Sequence, residues 1–157
     1  MVQRFEKDMV ISEIECRRGY TCVKVRFKEK SEVGKILGTL AEADIHFTIP
    51  KIHENSLNFV LPQSEEKRAL EILTDMGYNP QLLSGCSLVI VYAPDMRNLF
   101  GIMVQILEAM LKEGAEVLQV GDAYNSVSCL IRDEKLKGAI SSLKESFPNT
   151  AIKCELS

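Results

Sequence analysis

The chain has no tryptophan, two histidines, and only 6% aromatic residues across 157 positions. His46 and His53 are its only imidazoles. They lie an odd number of positions apart on one predicted strand (46–53), where side chains alternate between faces, so they point to opposite sides. A His-based triad or a shared metal site is therefore not expected. G-x-S-x-G, the Walker loop and G-x-G-x-x-G are all missing, and with them the commonest hydrolase and nucleotide signatures. No long apolar run exists. The longest, Leu88 to Ala93, falls far short of the ~20 residues that cross a bilayer. The N-terminal stretch carries Arg4, Glu6, Lys7 and Asp8, with no apolar core ahead of a cleavage-like site, so no secretory signal is read. An excess of positive charge is missing too. Lys+Arg number 19 against 22 Asp+Glu, a net charge of −3, so no global field draws nucleic acid or an anionic membrane. Cysteines are few and scattered: Cys16, Cys22, Cys86, Cys129 and Cys154, odd in number and without C-x-x-C. They read as reduced, mostly buried thiols of a cytoplasmic protein rather than as zinc ligands or a disulfide frame.

What is present is ordinary globular usage: 46% hydrophobic, 26% charged, mean hydropathy 0.00. The length suits one domain or two small ones. A repeat decides between them. Shifted by 70 positions, Cys16 falls on Cys86, Ile36-Leu37 on Ile106-Leu107, and Asn55-Ser56 on Asn125-Ser126. Lys67, Ala69 and Leu73 fall on Lys137, Ala139 and Leu143, and apolar positions match between them.

Each copy predicts the same order of elements. In the first, 20–27 alternates as a half-buried strand. Val33, Ile36, Leu37 and Leu40 then recur at helical spacing. Strands follow at 46–53 and 56–61, then a helix striped by Ala69, Leu70, Ile72, Leu73 and Met76 and ended by Gly77. A short strand near 80–84 closes the unit. The second copy has strands at 86–93, 115–121 and 126–131. Its helices are striped by Leu99, Ile102, Met103, Ile106, Leu107 and Met110, and by Leu136, Ala139, Ile140, Leu143 and Phe147. The fold class is α+β: two β-α-β-β-α-β units, 18–85 and 86–157, each an antiparallel sheet with its helices on one face. Residues 9–16 look like an extra strand. They and 151–156 are two candidates for the edge of the second unit, and the sequence does not choose. A unit of this size has a marginal core, which predicts pairing and a homodimer.

The second copy resembles an ACT domain, specifically the regulatory half of aspartokinases. Met96, Arg97 and Gly101 match that family's G-M-R-x-x-P-G loop, while Asp95 and Phe100 depart from it. Gly114 fits the glycine between helix and second strand, 127–131 the third strand, and Lys137, Ala139 and Leu143 the last helix. In the first copy LGTLAEADIHF is similar, but Lys30-Ser31 replaces the loop Pro-Gly and Thr48 the usual Asp. The resemblance spans roughly 9–147. It implies tandem ACT units that bind an amino acid, usually lysine or threonine, and regulate an attached kinase. It also implies that a strand ahead of the first unit completes the second.

The candidate effector site is the loop Met96, Arg97, Asn98, Leu99, Phe100, Gly101 and Ile102. Free backbone N–H groups at a helix start favour a carboxylate there, and Asn98 is placed to cap the helix. The facing strand end offers Val120, Gly121 and Asp122, and the turn offers Asn125 and Ser126. The matching positions of the first copy are Ser31, Glu32, Val33 and Gly34 with Thr48 and Ile49. No catalytic residue, metal site or cofactor is read. The expected function is a non-catalytic amino-acid sensor acting in trans on a partner enzyme. Its rivals are a ligand-free interaction module and, less well supported, a small ferredoxin-like enzyme.

Overall fold

The computed structural model describes residues 11–94 and 100–154. The elements run β1 (Glu13–Arg26), α1 (Glu32–Glu42), β2 (Thr48–Ile52), β3 (Ser56–Pro62), α2 (Glu66–Asp75), β4 (Gln81–Tyr92), α3 (Phe100–Lys112), β5 (Gln119–Ala123), β6 (Ser126–Arg132), α4 (Leu136–Ser146) and β7 (Ala151–Lys153). A short 3-10 turn precedes α2 and another precedes α4. The fold is α+β, and it divides into two compact units. The first is Gly19–Cys86; the second joins the residues up to Arg18 with those from Ser87 onward. β1 and β4 therefore each give one half to each unit. The sequence predicts four separate strands over these stretches. They merge in pairs because Gly19 (φ +83) and Gly85 (φ +71) sit mid-strand, in a backbone region that costs a residue without Cβ little.

In the first unit the strand order is β2-β3-β1-β4. Val23 lies opposite Phe59 and Val25 opposite Leu57, so alternation gathers the buried side chains on one face. Val33, Ile36 and Leu40 of α1 and Ala69 and Leu73 of α2 close over that face. Each fully buried aliphatic side chain contributes about 1.5–3 kcal/mol relative to exposure.

In the second unit the order outward from β5 is β5-β6-β4-β1, with β7 paired to β1. Both candidate edge strands are used. The N-terminal half of β1 lies beside β4, where Ser12 N donates to Tyr92 O at 2.8 Å. β7 adds on outside it, parallel, with Ile14 opposite Ile152. Ile14 is fully buried in the core and Ile152 only partly, which is why the earlier strand holds the inner place.

The structure corrects the reading of the cysteines. Cys16 and Cys154 form a disulfide, with Cα atoms 4.7 Å apart. The cause is the parallel pairing, which sets Glu15 opposite Lys153 and so brings the next residues side by side. Cys86 and Cys129 are buried thiols and Cys22 is a half-buried one.

The 70-position register also needs correcting at one place. It holds for the turns (Asn55 and Asn125), for β3 and β6, and for the helix ends, where Asp44 (φ +59) matches Gly114 (φ +76). The first strand of each unit follows another register. Phe27 N donates to Asn55 O and Ala93 N to Asn125 O, so Phe27 matches Ala93, a shift of 66 (27 to 93). The match of Cys16 with Cys86 is thus not structural. From strand end to the first fully buried helix residue, the second unit runs 93 to 106 and the first 27 to 36. The second strand–helix connection is therefore four residues longer.

Candidate functional site

The strand–helix connection of the first unit is closed by its own side chain. Glu32 opens α1 and turns its carboxylate back over the loop. Its Oε2 accepts from Lys28 N at 2.9 Å and Glu29 N at 2.7 Å, and its Oε1 from Tyr78 OH at 2.7 Å. These bonds, the one from Glu29 foremost, hold the carboxyl below its ordinary value. Burial, reinforced by the same carboxylate, pushes the Tyr78 phenol up to about 12. Of the neighbours singled out in the sequence, Ser31 holds the N-cap place without a side-chain cap bond. Val33 points into the core. Gly34 is exposed, with open space where a Cβ would stand.

Across the unit, Thr48 is exposed at the start of β2. Ile49 has φ +52, a conformation that costs a β-branched residue dearly. The register of β2 on β3 slips between Thr48 and Lys51. Pro50, which lacks an N–H, is tolerated there because β2 is an edge strand. Strain of this kind gathers where a backbone is shaped for a contact.

In the second unit, Met96, Arg97, Asn98 and Leu99 lie outside the described residues, as do Asp95 and the side chain of Phe100. Gly101 is exposed, with none of the described residues' atoms within 4 Å of where a Cβ would stand, and Ile102 is buried. β5 and β6 pair regularly: Val120 faces Cys129, Gly121 faces Ser128, Asp122 faces Val127 and Ala123 faces Ser126. Asp122 and Asn125 are exposed. The bond from Ala93 N to Asn125 O, 2.9 Å, ties this turn to the start of the strand–helix connection. The turn is thus a neighbour of Ala93, the residue that ends the strand before the connection. Burial pushes the Cys129 thiol of β6 up to about 12.

The histidines are placed differently from expectation. β2 spans only Thr48–Ile52, so His46 and His53 flank it rather than share it, because the slipped register and Pro50 shorten the ladder. His46 N donates to Glu65 at 3.0 Å.

Sequence reasoning missed a pair of buried hydroxyls. Thr21 and Ser87 are both fully buried in first strands. Thr21 donates to Glu66 Oε2 at 2.7 Å, as does Ser84, and Ser87 donates to Asp133. Glu66 opens α2, and Asp133 opens the 3-10 turn that leads into α4. The signal was available: Thr21 and Ser87 are both polar residues in the apolar phase of a strand.

Residues 82–145 match the ACT domain family. That span covers most of the second repeat. Aspartokinase 1 of Bacillus subtilis is 22% identical over 128 residues, covering 78% of this chain and 32% of that enzyme. The chain thus spans about a third of the length of that relative. The ligand-free regulatory subunit of aspartate kinase from Thermus thermophilus superimposes with a TM-score of 0.82 at 14% identity, covering 88% of this chain and 98% of that one. Aspartokinase III of E. coli in complex with lysine and aspartate gives 0.69 at 15% identity, covering 88% of this chain and 33% of that one. At these identities the likeness to the solved structures is one of fold. In fold, the chain resembles a solved regulatory subunit of aspartate kinase. Among the described residues no helix is long and apolar enough to cross a membrane.

Proposed function

We propose that this protein is a non-catalytic, cytoplasmic regulatory module that senses an amino acid and acts on a separate enzyme. One observation supports this above the rest: the fold matches a regulatory subunit of aspartate kinase over 98% of that chain's length. The effector is lysine or threonine, held by the strand–helix loop of the second unit. Backbone N–H groups of the loop and the start of α3 take the carboxylate. Asp122, Asn125 and the carbonyls of β5 are the acceptors offered to the effector's ammonium, Asp122 and Asn125 being exposed. Binding biases the packing of a homodimer, and the enzyme partner reads the change.

A thermal-shift screen of the full chain against the twenty amino acids tests this. A ligand at a hundredfold excess over Kd stabilises the native state by ~2.7 kcal/mol, roughly 5–10 °C for a chain of this length. Lysine or threonine should shift the melting temperature. No shift with any amino acid at millimolar concentration overturns the sensor reading, and a monomeric light-scattering mass overturns the dimer.

A second reading has its own support in the first unit. Glu32 already occupies the Lys28 and Glu29 N–H groups, where an effector carboxylate would bind. On this reading the first unit is an interaction module that binds no amino-acid effector. Spectral shifts confined to the second unit on effector addition would support it.

A further inference from the structure

A different cavity of the first unit plays no part in that reading. It has a volume of about 720 Å³ and opens between the end of β1 and the turn after α2. Lys24, Arg26 and Lys28 form its cationic wall, at alternate positions of one extended run. Lys24 faces Asn58 and Arg26 faces Ser56 on β3, so no carboxylate of that strand neutralises them. Neither makes an ion pair among the described residues. Like charges aligned this way repel. Met76 gives it an apolar side, beside Phe27, whose side chain is buried in the core. The carboxylate in the lining, Glu32, is already held by three donors. Three cations less one carboxylate leave two positive charges, and the volume is that of a small-molecule site.

We propose that this cavity is a second ligand site, which takes a small organic dianion of the dicarboxylate class. The Arg26 guanidinium offers a fork to one carboxylate. Lys24 and Lys28 offer point charges to the other. Met76 receives the short carbon chain. The site shares Glu32 with the strand–helix loop, but Ser31, Gly34, Thr48 and Ile49 do not line it. It therefore stands or falls independently of the amino-acid reading. It is also wired to that loop, because Glu32 joins the Tyr78 hydroxyl to the Lys28 and Glu29 amides.

The test is a titration of the full, isotope-labelled chain with succinate at constant ionic strength, followed amide by amide. Butane-1,4-diol is the uncharged control. Saturable shifts confined to 24–32 and 76–81, absent with the diol, are expected. Lys24→Gln with Arg26→Gln should weaken binding roughly tenfold or more at an unchanged melting temperature. If the double variant loses its dispersed spectrum, Arg26→Gln alone serves the same purpose. Absence of saturable shifts at about 10 mM succinate, shifts lying only elsewhere, or undiminished binding by the folded variant overturns the proposal.

Discussion

The first unit closes its sheet with the strand that follows its own second helix. The second unit does not. β4 begins at Gln81 and lies beside β1 in the first unit. The equivalent start in the second repeat is Ala151, the first residue of β7, 70 positions on (81 to 151). Yet β7 is three residues long and sits one place further out. The inner place belongs to the strand that precedes the first unit in the chain. The same repeat thus gives one self-contained unit and one with the other inserted into it. A contact between residues near 14 and near 90 spans the whole first unit, and such non-local pairing is slow to form. The second unit is therefore the one whose integrity depends on both ends of the chain.

Ile14 and Val23 lie on the two halves of β1, and both are fully buried. Their truncation should break the comparison most sharply. Ile14→Ala should cost about 2–5 kcal/mol, read as a lower urea midpoint. Its loss of amide-exchange protection should fall on 87–92 and 126–132. Val23→Ala, which removes two methyl groups, should cost less and expose 56–62. If Ile14→Ala loosened both units alike, the insertion would carry no independent stability.

The disulfide comes next. Cys16 and Cys154 are 138 positions apart in the chain, and closing so long a loop typically stabilises by about 2–4 kcal/mol. Cys154→Ser, or a reductant, should lower the melting temperature and strip protection from β7. The first unit's amides should be untouched. An unchanged melting temperature would mean that β7 is held by its ladder alone. In a reducing cytoplasm the bond would not persist, so this measurement also bears on where the protein works.

The two units also show where sequence reasoning succeeds. Helices and paired strands were readable because the apolar stripes (Val33, Ile36, Leu40; Ile106, Met110) and the alternation of Leu57, Phe59 and Leu61 express local periodicity. Three things were not. The fusion of strands through Gly19 and Gly85 looks like two turns when only sequence neighbours are considered. The choice between 9–16 and 151–156 depends on which isoleucine reaches the core, a tertiary fact. Cys16 and Cys154 meet only because β7 runs parallel to β1, and no spacing rule connects residues so far apart. The candidate loop was nameable from its family resemblance, and the turn residues Asn125 and Ser126 from the repeat. The self-capping by Glu32 was not, because its partner Tyr78 comes from the far end of the unit.

The buried hydroxyls sharpen the comparison at smaller scale. Glu66 has two hydroxyl donors, Thr21 and Ser84, where Asp133 has Ser87. Removing a buried partner leaves an acceptor unsatisfied, at about 1–3 kcal/mol. Ser87→Ala should therefore lie towards the upper end of that range and Thr21→Val towards the lower. Urea midpoints measured side by side would decide it. Equal losses would show that the second donor on Glu66 adds nothing.

The smallest expected effect concerns pH. The Ser84 and Thr21 hydroxyls hold the Glu66 carboxyl below its ordinary value of 4.5, against the opposing pull of burial. A folded-state pKa lower than the unfolded one means that the unfolded chain binds the proton more readily. The stability this group contributes is then fully present at neutral pH. It fades as pH falls below about 4.5 and through the depressed folded value. Glu32 and Glu15 are lowered as well, which puts two such groups in the first unit and one in the second. Acid should therefore loosen the first unit ahead of the second. Glu66→Gln keeps a hydrogen-bond acceptor but cannot titrate, so its urea midpoint should fall less steeply with acid than that of the unaltered chain. The difference should be below about 1 kcal/mol, since the group is partly exposed and screened. Parallel acid profiles would show that the hydroxyls favour the neutral acid as much as the carboxylate, and that the two units differ in topology but not in charge.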